Sequence, residues 1–167
     1  MAQANKKVLK ALNDQMQMEV YSAHIYWAMS AWFEEQNLPG LAQWMIAQYG
    51  EEMQHARKFY AYILDRGGRA VVPEIAAPPA DYDSALAVFE TAYAHECKVT
   101  ASIYKIADVA KEEADWATVQ FLDWFFAEQV EEEKSTDEIV QMLKQAEGQT
   151  GAIFMIDRQL GLRKFGE

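Results

Sequence analysis

The chain has 167 residues, of which 51% are hydrophobic and 25% charged, and its formal net charge is −11 at pH 7. These values predict a single globular domain over residues 1–167 and exclude a chain that is disordered by composition. The acidic excess argues against a nucleic-acid partner, and the interrupted apolar runs argue against a membrane-spanning helix. A single cysteine, Cys97, and an N-terminus without a secretory signal favour a cytoplasmic protein.

Proline and glycine, together with the predicted N-cap Asp115, divide the chain into five predicted helices, because the segments between these positions lack helix breakers. No window alternates like a strand, so we predict an all-α fold. Asn37, Asp83 and Asp115 are the predicted N-caps of the second, third and fourth helices. The predicted helices are α1 (about 5–35), α2 (about 39–66), α3 (about 84–112), α4 (about 115–146) and a short α5 (about 152–162).

The lengths of the connections predict how the helices pack. The α1–α2 and α3–α4 connections are a few residues long, so each pair should form an antiparallel hairpin. The α2–α3 connection, "GGRAVVPEIAAPPADYD", can reach ~50 Å if extended, whereas α2 is ~40 Å long. We therefore predict a four-helix bundle with a long α2–α3 crossover. Helix α5 is too short and apolar to stand alone, so it should dock on the bundle or meet its copies at a symmetry axis.

Each long helix carries an apolar stripe with a polar interruption near its midpoint, as in "GEEMQHARKFY" at residues 50–60. Helix midpoints meet at one level in a bundle, so the interrupting side chains should share one buried layer. Buried carboxylates that face one another repel, which predicts a cation between them. Carboxylate oxygens with one imidazole suit iron or manganese. The interrupting residues are Glu19, Glu52, His55, Glu96, Gln129 and Glu132.

Four segments, "NDQMQMEVYS", "GEEMQHARKF", "YAHECKVT" and "AEQVEEEKS", resemble the iron-oxidising segments of the bacterial non-haem ferritins. The resemblance extends over nearly the whole chain. It implies a ferritin-like bundle in which Glu19, Glu52 and His55 hold one iron. Glu52, Glu96 and Glu132 would hold a second, with Gln129 nearby.

The same resemblance implies further site residues and an activity. Glu51, Glu128 and Glu131 match a third iron site, although a solvated helix face remains an alternative for these three and is the preferred interpretation for Glu133. Tyr26 matches the tyrosine beside the di-iron centre and is the candidate catalytic residue, and Trp124 matches an aromatic neighbour. The implied activity is a ferroxidase that oxidises Fe(II) with O2 or H2O2. The ferric product would be stored as mineral inside a hollow homo-oligomer of 24 subunits.

Two other functions remain open. Bacterioferritins and rubrerythrins, which are di-iron proteins, carry a second Glu-x-x-His motif, but here Gln129 and Glu132 stand in that spacing without a histidine. Met53 resembles the bacterioferritin haem ligand in position, yet a core or interface methionine is the preferred interpretation, and haem is not expected. The remaining alternative is a metal-free helical adaptor whose acidic midsection opens to water.

Several large or titratable side chains lie off the stripes. His24 and His95 are expected at the surface or in an interface. Trp27, Trp32 and Trp44 are expected to support contacts between subunits.

Overall fold

The computed structural model describes residues 4–164, so residues 1–3 and 165–167 of the predicted domain lie outside it. This range contains helices and irregular segments but no strand, which confirms the all-α prediction. None of its helices combines the length and the apolar character needed to cross a membrane. Each predicted boundary is within two residues of the observed one. The helices are α1 (Lys6–Glu35), α2 (Pro39–Asp65), α3 (Ala85–Glu112), α4 (Trp116–Gln145) and α5 (Thr150–Leu160).

The starts of the helices agree only in part with the predicted caps. Asp115 caps α4 as predicted, because its side chain accepts a hydrogen bond from the N–H three residues later. Ser84, and not the predicted Asp83, caps α3 in the same way. The prediction for Asn37 was wrong: this residue turns the chain with φ 56°, and α2 begins at Pro39. Proline suits the first helical position because its φ is preset and no N–H is lost there.

The core is divided into two apolar clusters, one toward each end of the bundle. One cluster includes Phe33, Leu41 and Phe89, and the other includes Leu12 and Ile103. On every long helix, the stripe interruption lies between residues of the first cluster and residues of the second. The fold therefore encloses a polar layer between two apolar halves.

Stacked aromatic rings fill the space between α2 and α4 in one of these halves. The Phe59 and Phe125 ring centroids are 4.3 Å apart, and those of Tyr62 and Phe121 are 3.8 Å apart. Phe125 also contacts His55 edge to face at 6.1 Å. The rings thus form an apolar boundary on one side of the polar layer.

The connection between α2 and α3 runs along α1. Near its start, Asn13 on α1 donates to the Arg69 carbonyl at 3.2 Å and accepts from the Val71 N–H at 2.7 Å. Near its end, the Tyr82 ring packs against Trp32, also on α1, at 5.9 Å between centroids. Asn13 and Trp32 are ~28 Å apart along a helix. The connection therefore covers most of the length of the bundle, which confirms the predicted crossover.

Helix α5 docks on the start of α2. The Asp157 carboxylate accepts a hydrogen bond from the Leu41 N–H at 2.9 Å. A Cβ atom added to Gly40 would lie 1.7 Å from the Asp157 carbonyl oxygen, so this crossing requires glycine. Of the two placements expected from the sequence, the structure has α5 against its own bundle.

Candidate metal centre

The structure brings the six stripe interruptions into one buried layer. Their side chains come from all four long helices, and each is at most 4% exposed. Burial at this depth removes water as a hydrogen-bond partner, so each polar atom needs a partner within the protein or a bound ion. The six residues are Glu19, Glu52, His55, Glu96, Gln129 and Glu132.

Glu19 from α1 and Glu52 and His55 from α2 form the deepest group. Oε2 of Glu19 and both carboxylate oxygens of Glu52 lack a hydrogen-bond partner within residues 4–164. His55 Nδ1 is 3.7 Å from Glu52 Oε2, and one ligand atom from each residue lies within 4.8 Å of the others. Buried carboxylate oxygens without donors are costly unless a cation neutralises them. This donor set therefore fits a hard metal ion.

Two glutamines that the sequence analysis did not assign to the site orient its carboxylates. Gln15 Nε2 donates to Glu19 Oε1 at 3.0 Å, and Gln48 Nε2 donates to Glu132 Oε2 at 2.8 Å. Both glutamines are completely buried. Gln48 lies on the α2 stripe four residues before Glu52, and Gln15 lies four residues before Glu19. This i, i+4 spacing on one helix face was the available signal.

Glu96 from α3 is held by donors on two other helices. The Tyr26 hydroxyl donates a short hydrogen bond to Glu96 Oε1, and Gln129 Nε2 donates to Glu96 Oε2 at 3.3 Å. Gln129 also bonds the Thr100 hydroxyl at 3.2 Å. Glu96 is therefore oriented by neutral donors, and among the described residues its oxygens are not part of the group of ligand atoms that Glu19, Glu52 and His55 form. Tyr26 therefore contacts the buried layer through Glu96.

A cavity of about 350 Å³ adjoins the buried layer. The second nitrogen of His55, Nε2, is 3.7 Å from Glu128 Oε1, and these two residues with Glu132 form a second group that could hold an ion. Glu51 and Glu131 also line this cavity. The three glutamates predicted for a third site thus share one cavity, and His55 lies between that cavity and the deeper group.

A cation from the end of the chain lies in the same cavity. Arg163, three residues beyond α5, pairs with Glu51 at 2.6 Å. Its guanidinium packs over the Trp44 ring at 4.6 Å from the centroid. Trp44 is 3% exposed and also contacts the Tyr26 ring at 6.4 Å. The prediction that Trp44 serves subunit contacts was therefore wrong, because the ring packs within its own bundle.

Three further side chains, Trp124, His95 and Glu133, can be compared with the positions expected for them from the sequence. Trp124 contacts His55 edge to face at 5.4 Å, as the resemblance implied. His95 was expected at the surface or in an interface but is buried, and its Nε2 is 2.7 Å from the Ser22 hydroxyl on α1. Glu133 was expected to be solvated but is half-buried, and it accepts a hydrogen bond from Thr100 at 2.6 Å.

Without a bound metal, the side chains of the buried layer favour their protonated forms. Burial, followed by the charge of Glu52, raises the pKa of Glu19 and of Glu96 well above the usual range, and raises the pKa of Glu132 to about 8. Burial by itself would lower the pKa of His55, but the carboxylates of Glu128 and Glu52, each 3.7 Å from one ring nitrogen, raise it to about 11. A metal ion that binds here must displace protons from these groups.

Comparisons with known proteins give a family for this chain. A family model described as a ferritin-like domain matches residues 9–146. Bacterial non-heme ferritin of Staphylococcus aureus is 37% identical over 163 residues, which is 98% of each chain, and that of Staphylococcus saprophyticus is 39% identical over the same length. The structure matches the open-pore ferritin of the archaeon Archaeoglobus fulgidus with a TM-score of 0.95 and 40% identity, over 96% of this chain and 99% of that one. The chain therefore belongs to the ferritin family.

Proposed function

We propose that this protein stores iron by oxidising Fe(II) with O2 or H2O2 and depositing the ferric product inside a hollow shell. The observation that carries the proposal is the set of buried carboxylate oxygens on Glu19 and Glu52 that lack donors, placed against the imidazole of His55. Such a set favours a cation of high charge, so it stabilises Fe(III) over Fe(II). The two Staphylococcus relatives are named as ferritins and support the same function.

Two Fe(II) ions would bind as substrates in the buried layer. Glu19, Glu52 and His55 would hold the first, and Glu52, Glu96 and Glu132 the second, with the Gln129 amide nearby. Each Fe(II) gives up one electron, so a pair of ions reduces O2 to peroxide or H2O2 to water. The second ion would have oxygen ligands without a histidine, and we propose that it leaves more easily for the store.

Tyr26 would act by positioning Glu96. Its hydroxyl donates to one Glu96 oxygen, and its pKa is raised well above the usual range, first by burial and then by the charge of Glu96. The phenol therefore stays protonated and keeps its donor role at neutral pH. Beyond the layer, Glu51, Glu128 and Glu131 would bind a third iron on the way out.

The shell would be a homo-oligomer of 24 subunits in the cytoplasm, where reducing conditions maintain Fe(II). Large apolar side chains that are exposed on the single chain support burial between subunits. Trp27 is 56% exposed, and Phe154 and Met155 on α5 are also exposed. Size-exclusion chromatography should give about 460 kDa for 24 chains of 19.1 kDa.

The decisive test is iron oxidation by the assembled protein. Metal-free protein is mixed anaerobically with Fe(II), air is admitted, and near-ultraviolet absorbance is followed. The wild type should oxidise iron much faster than buffer does, Glu52→Ala should not, and the exposed-site control Glu138→Gln should match the wild type. A wild-type rate no faster than that of buffer would refute the proposal.

The two remaining alternatives give different results in the same preparations. A bacterioferritin-like or rubrerythrin-like oxidoreductase would retain stoichiometric iron without forming mineral, or would show a haem absorption band. A metal-free adaptor would show no rise in melting temperature on addition of Fe(II), Mn(II) or Zn(II), since no ligand would stabilise the folded state.

A further inference from the structure

We propose that Arg163 is a built-in competitor of metal in the cavity of Glu51, Glu128 and Glu131: its guanidinium occupies Glu51 and has to leave before a cation can use that carboxylate. The inference rests on the proposed function, because iron leaving the buried layer is the cation that would arrive there. Arg163, which follows α5, would thus control how readily metal occupies the third site.

The contacts of the guanidinium show that Arg163 is held in the cavity. Nη2 is 2.6 Å from Glu51 Oε2, and the two side chains are only 20% and 16% exposed. The face of the guanidinium is covered by Trp44, a buried ring. Ion pairs and cation–π contacts gain strength when water is partly excluded. The pair is therefore stronger than a contact between two solvated surface charges.

The backbone around Arg163 is tethered to the bundle. Its N–H donates to the Leu160 carbonyl at 3.1 Å, in the turn that follows α5. Helix α5 is itself fixed to α2 by the bond between Asp157 and Leu41 and by the close crossing at Gly40. A tethered cation competes at a high local concentration, because its binding is intramolecular. An incoming metal ion must overcome that advantage.

The pair is nevertheless built so that it can open. Arg163 Nη1 is buried and has no hydrogen-bond partner within the described part of the chain. The guanidinium therefore pairs with Glu51 through Nη2 and not through both terminal nitrogens. A buried donor without a partner carries an unfavourable desolvation cost, which is relieved when the side chain swings toward water. Arg163 therefore pairs with Glu51 in the absence of metal, and a metal ion can displace it at a moderate cost in free energy.

Zn(II) binding to the metal-free, assembled, full-length protein tests this competition without redox chemistry. Isothermal titration calorimetry should show two tighter ions and one weaker ion per chain in the wild type. Arg163→Gln should tighten the weaker ion roughly tenfold, the value of one charged hydrogen bond. Arg158→Gln removes the same charge from an exposed position on α5 and should leave that affinity within about twofold.

Three further variants and a crystal make the test specific. Glu51→Gln should abolish the weaker ion, and adding Arg163→Gln to it should then have no effect, as expected when both act at one place. Arg163→Lys keeps the charge and replaces Arg163→Gln in the test if that variant fails to assemble. It should raise the affinity for the weaker ion about threefold, because the planar contact with Trp44 is lost. A Zn(II)-soaked wild-type crystal should show Nη2 beyond hydrogen-bond distance from Glu51.

The possible failures are distinguishable. The inference is overturned if the third affinity is unchanged or weaker in Arg163→Gln, or if neither protein binds a third ion. It is equally overturned if Arg163 stays on Glu51 with Zn(II) bound beside it. Failure of the proposed function would appear elsewhere, as the absence of Zn(II) from Glu19, Glu52 and His55 in every variant.

Discussion

Replacing Glu132 with glutamine should stabilise the metal-free protein at neutral pH, although it removes a candidate ligand. Glu132 is buried, and its pKa is raised to about 8 by burial and by the charge of Glu52, against 4.5 for an unperturbed glutamate. Its folded pKa thus exceeds its unfolded pKa, so its stabilising contribution is complete below about pH 4.5 and is lost as the pH rises through about 8. Glutamine has no such titration and can still accept the bond from Gln48.

The magnitude follows from the size of the shift. Each pKa unit is worth 1.36 kcal/mol, so the wild type should lose about 3 kcal/mol from this group between pH 5 and pH 7.5. In a chain of this length, 1 kcal/mol corresponds to about 2–4 °C in melting temperature. Glu132→Gln should therefore melt about 6–12 °C above the wild type at pH 7.5, and the difference should shrink toward zero near pH 4.5.

The assay is differential scanning calorimetry in chelator at one fixed scan rate, with melting temperatures compared as differences at each pH. Glu138→Gln removes an exposed carboxylate from the same helix and should shift the melting temperature by at most about 2 °C at every pH. Zn(II) at 100 times the dissociation constant should narrow the difference, because the wild type gains about 2.7 kcal/mol and the variant, which lacks one ligand, gains less. A difference independent of pH, or a less stable variant at pH 7.5 without metal, would refute the assigned protonation.

Zn(II) binding at pH 7 should release at least one proton per chain, because the raised pKa of His55 means that its ring nitrogen must lose a proton to bind metal. Calorimetry in two buffers of different ionisation enthalpy measures the number of protons released. Zero proton release would contradict the raised pKa. Tyr26→Phe should slow Fe(II) oxidation about tenfold without changing Zn(II) stoichiometry, since a buried Glu96 oxygen loses its donor at a cost of about 1–3 kcal/mol. An unchanged rate would remove the positioning role. Gly40→Ala should lower the melting temperature by about 2–10 °C, because the new methyl group collides with the Asp157 backbone, and a wild-type melting temperature would show that α5 docks differently in solution.

The helices and the buried layer could be predicted because both follow from local rules. Proline, glycine and the N-cap Asp115 mark the helix limits, and the spacing of Glu52 and His55 places both on one helix face. From the sequence alone, the buried carboxylates are expected to require a cation between them. The structure adds a second way to neutralise these carboxylates. The raised pKa values of Glu19 and Glu132 favour protonation of both groups when metal is absent.

The features that sequence reasoning missed depend on tertiary contacts. Arg163 and Glu51 are 112 positions apart, and their pairing depends on where α5 docks, which no local pattern encodes. His95 lies off the stripe of its own helix, yet it is buried because α1 presents Ser22 to it. Trp44 was assigned to the outside because it lies off the α2 stripe, whereas the bundle and the turn after α5 cover it together.

The crossover has a consequence for how the molecule can be taken apart. The first hairpin carries Glu19, Glu52 and His55, and the second carries Glu96 and Glu132, while residues 68–83, all of which the structure describes, supply none of the candidate ligands. Proteolytic cleavage within residues 68–83 would leave two fragments, each carrying part of the candidate ligand set. The apolar clusters would still join the fragments, and divalent ions should strengthen the association, because an ion held by Glu52, Glu96 and Glu132 would bind ligands from both.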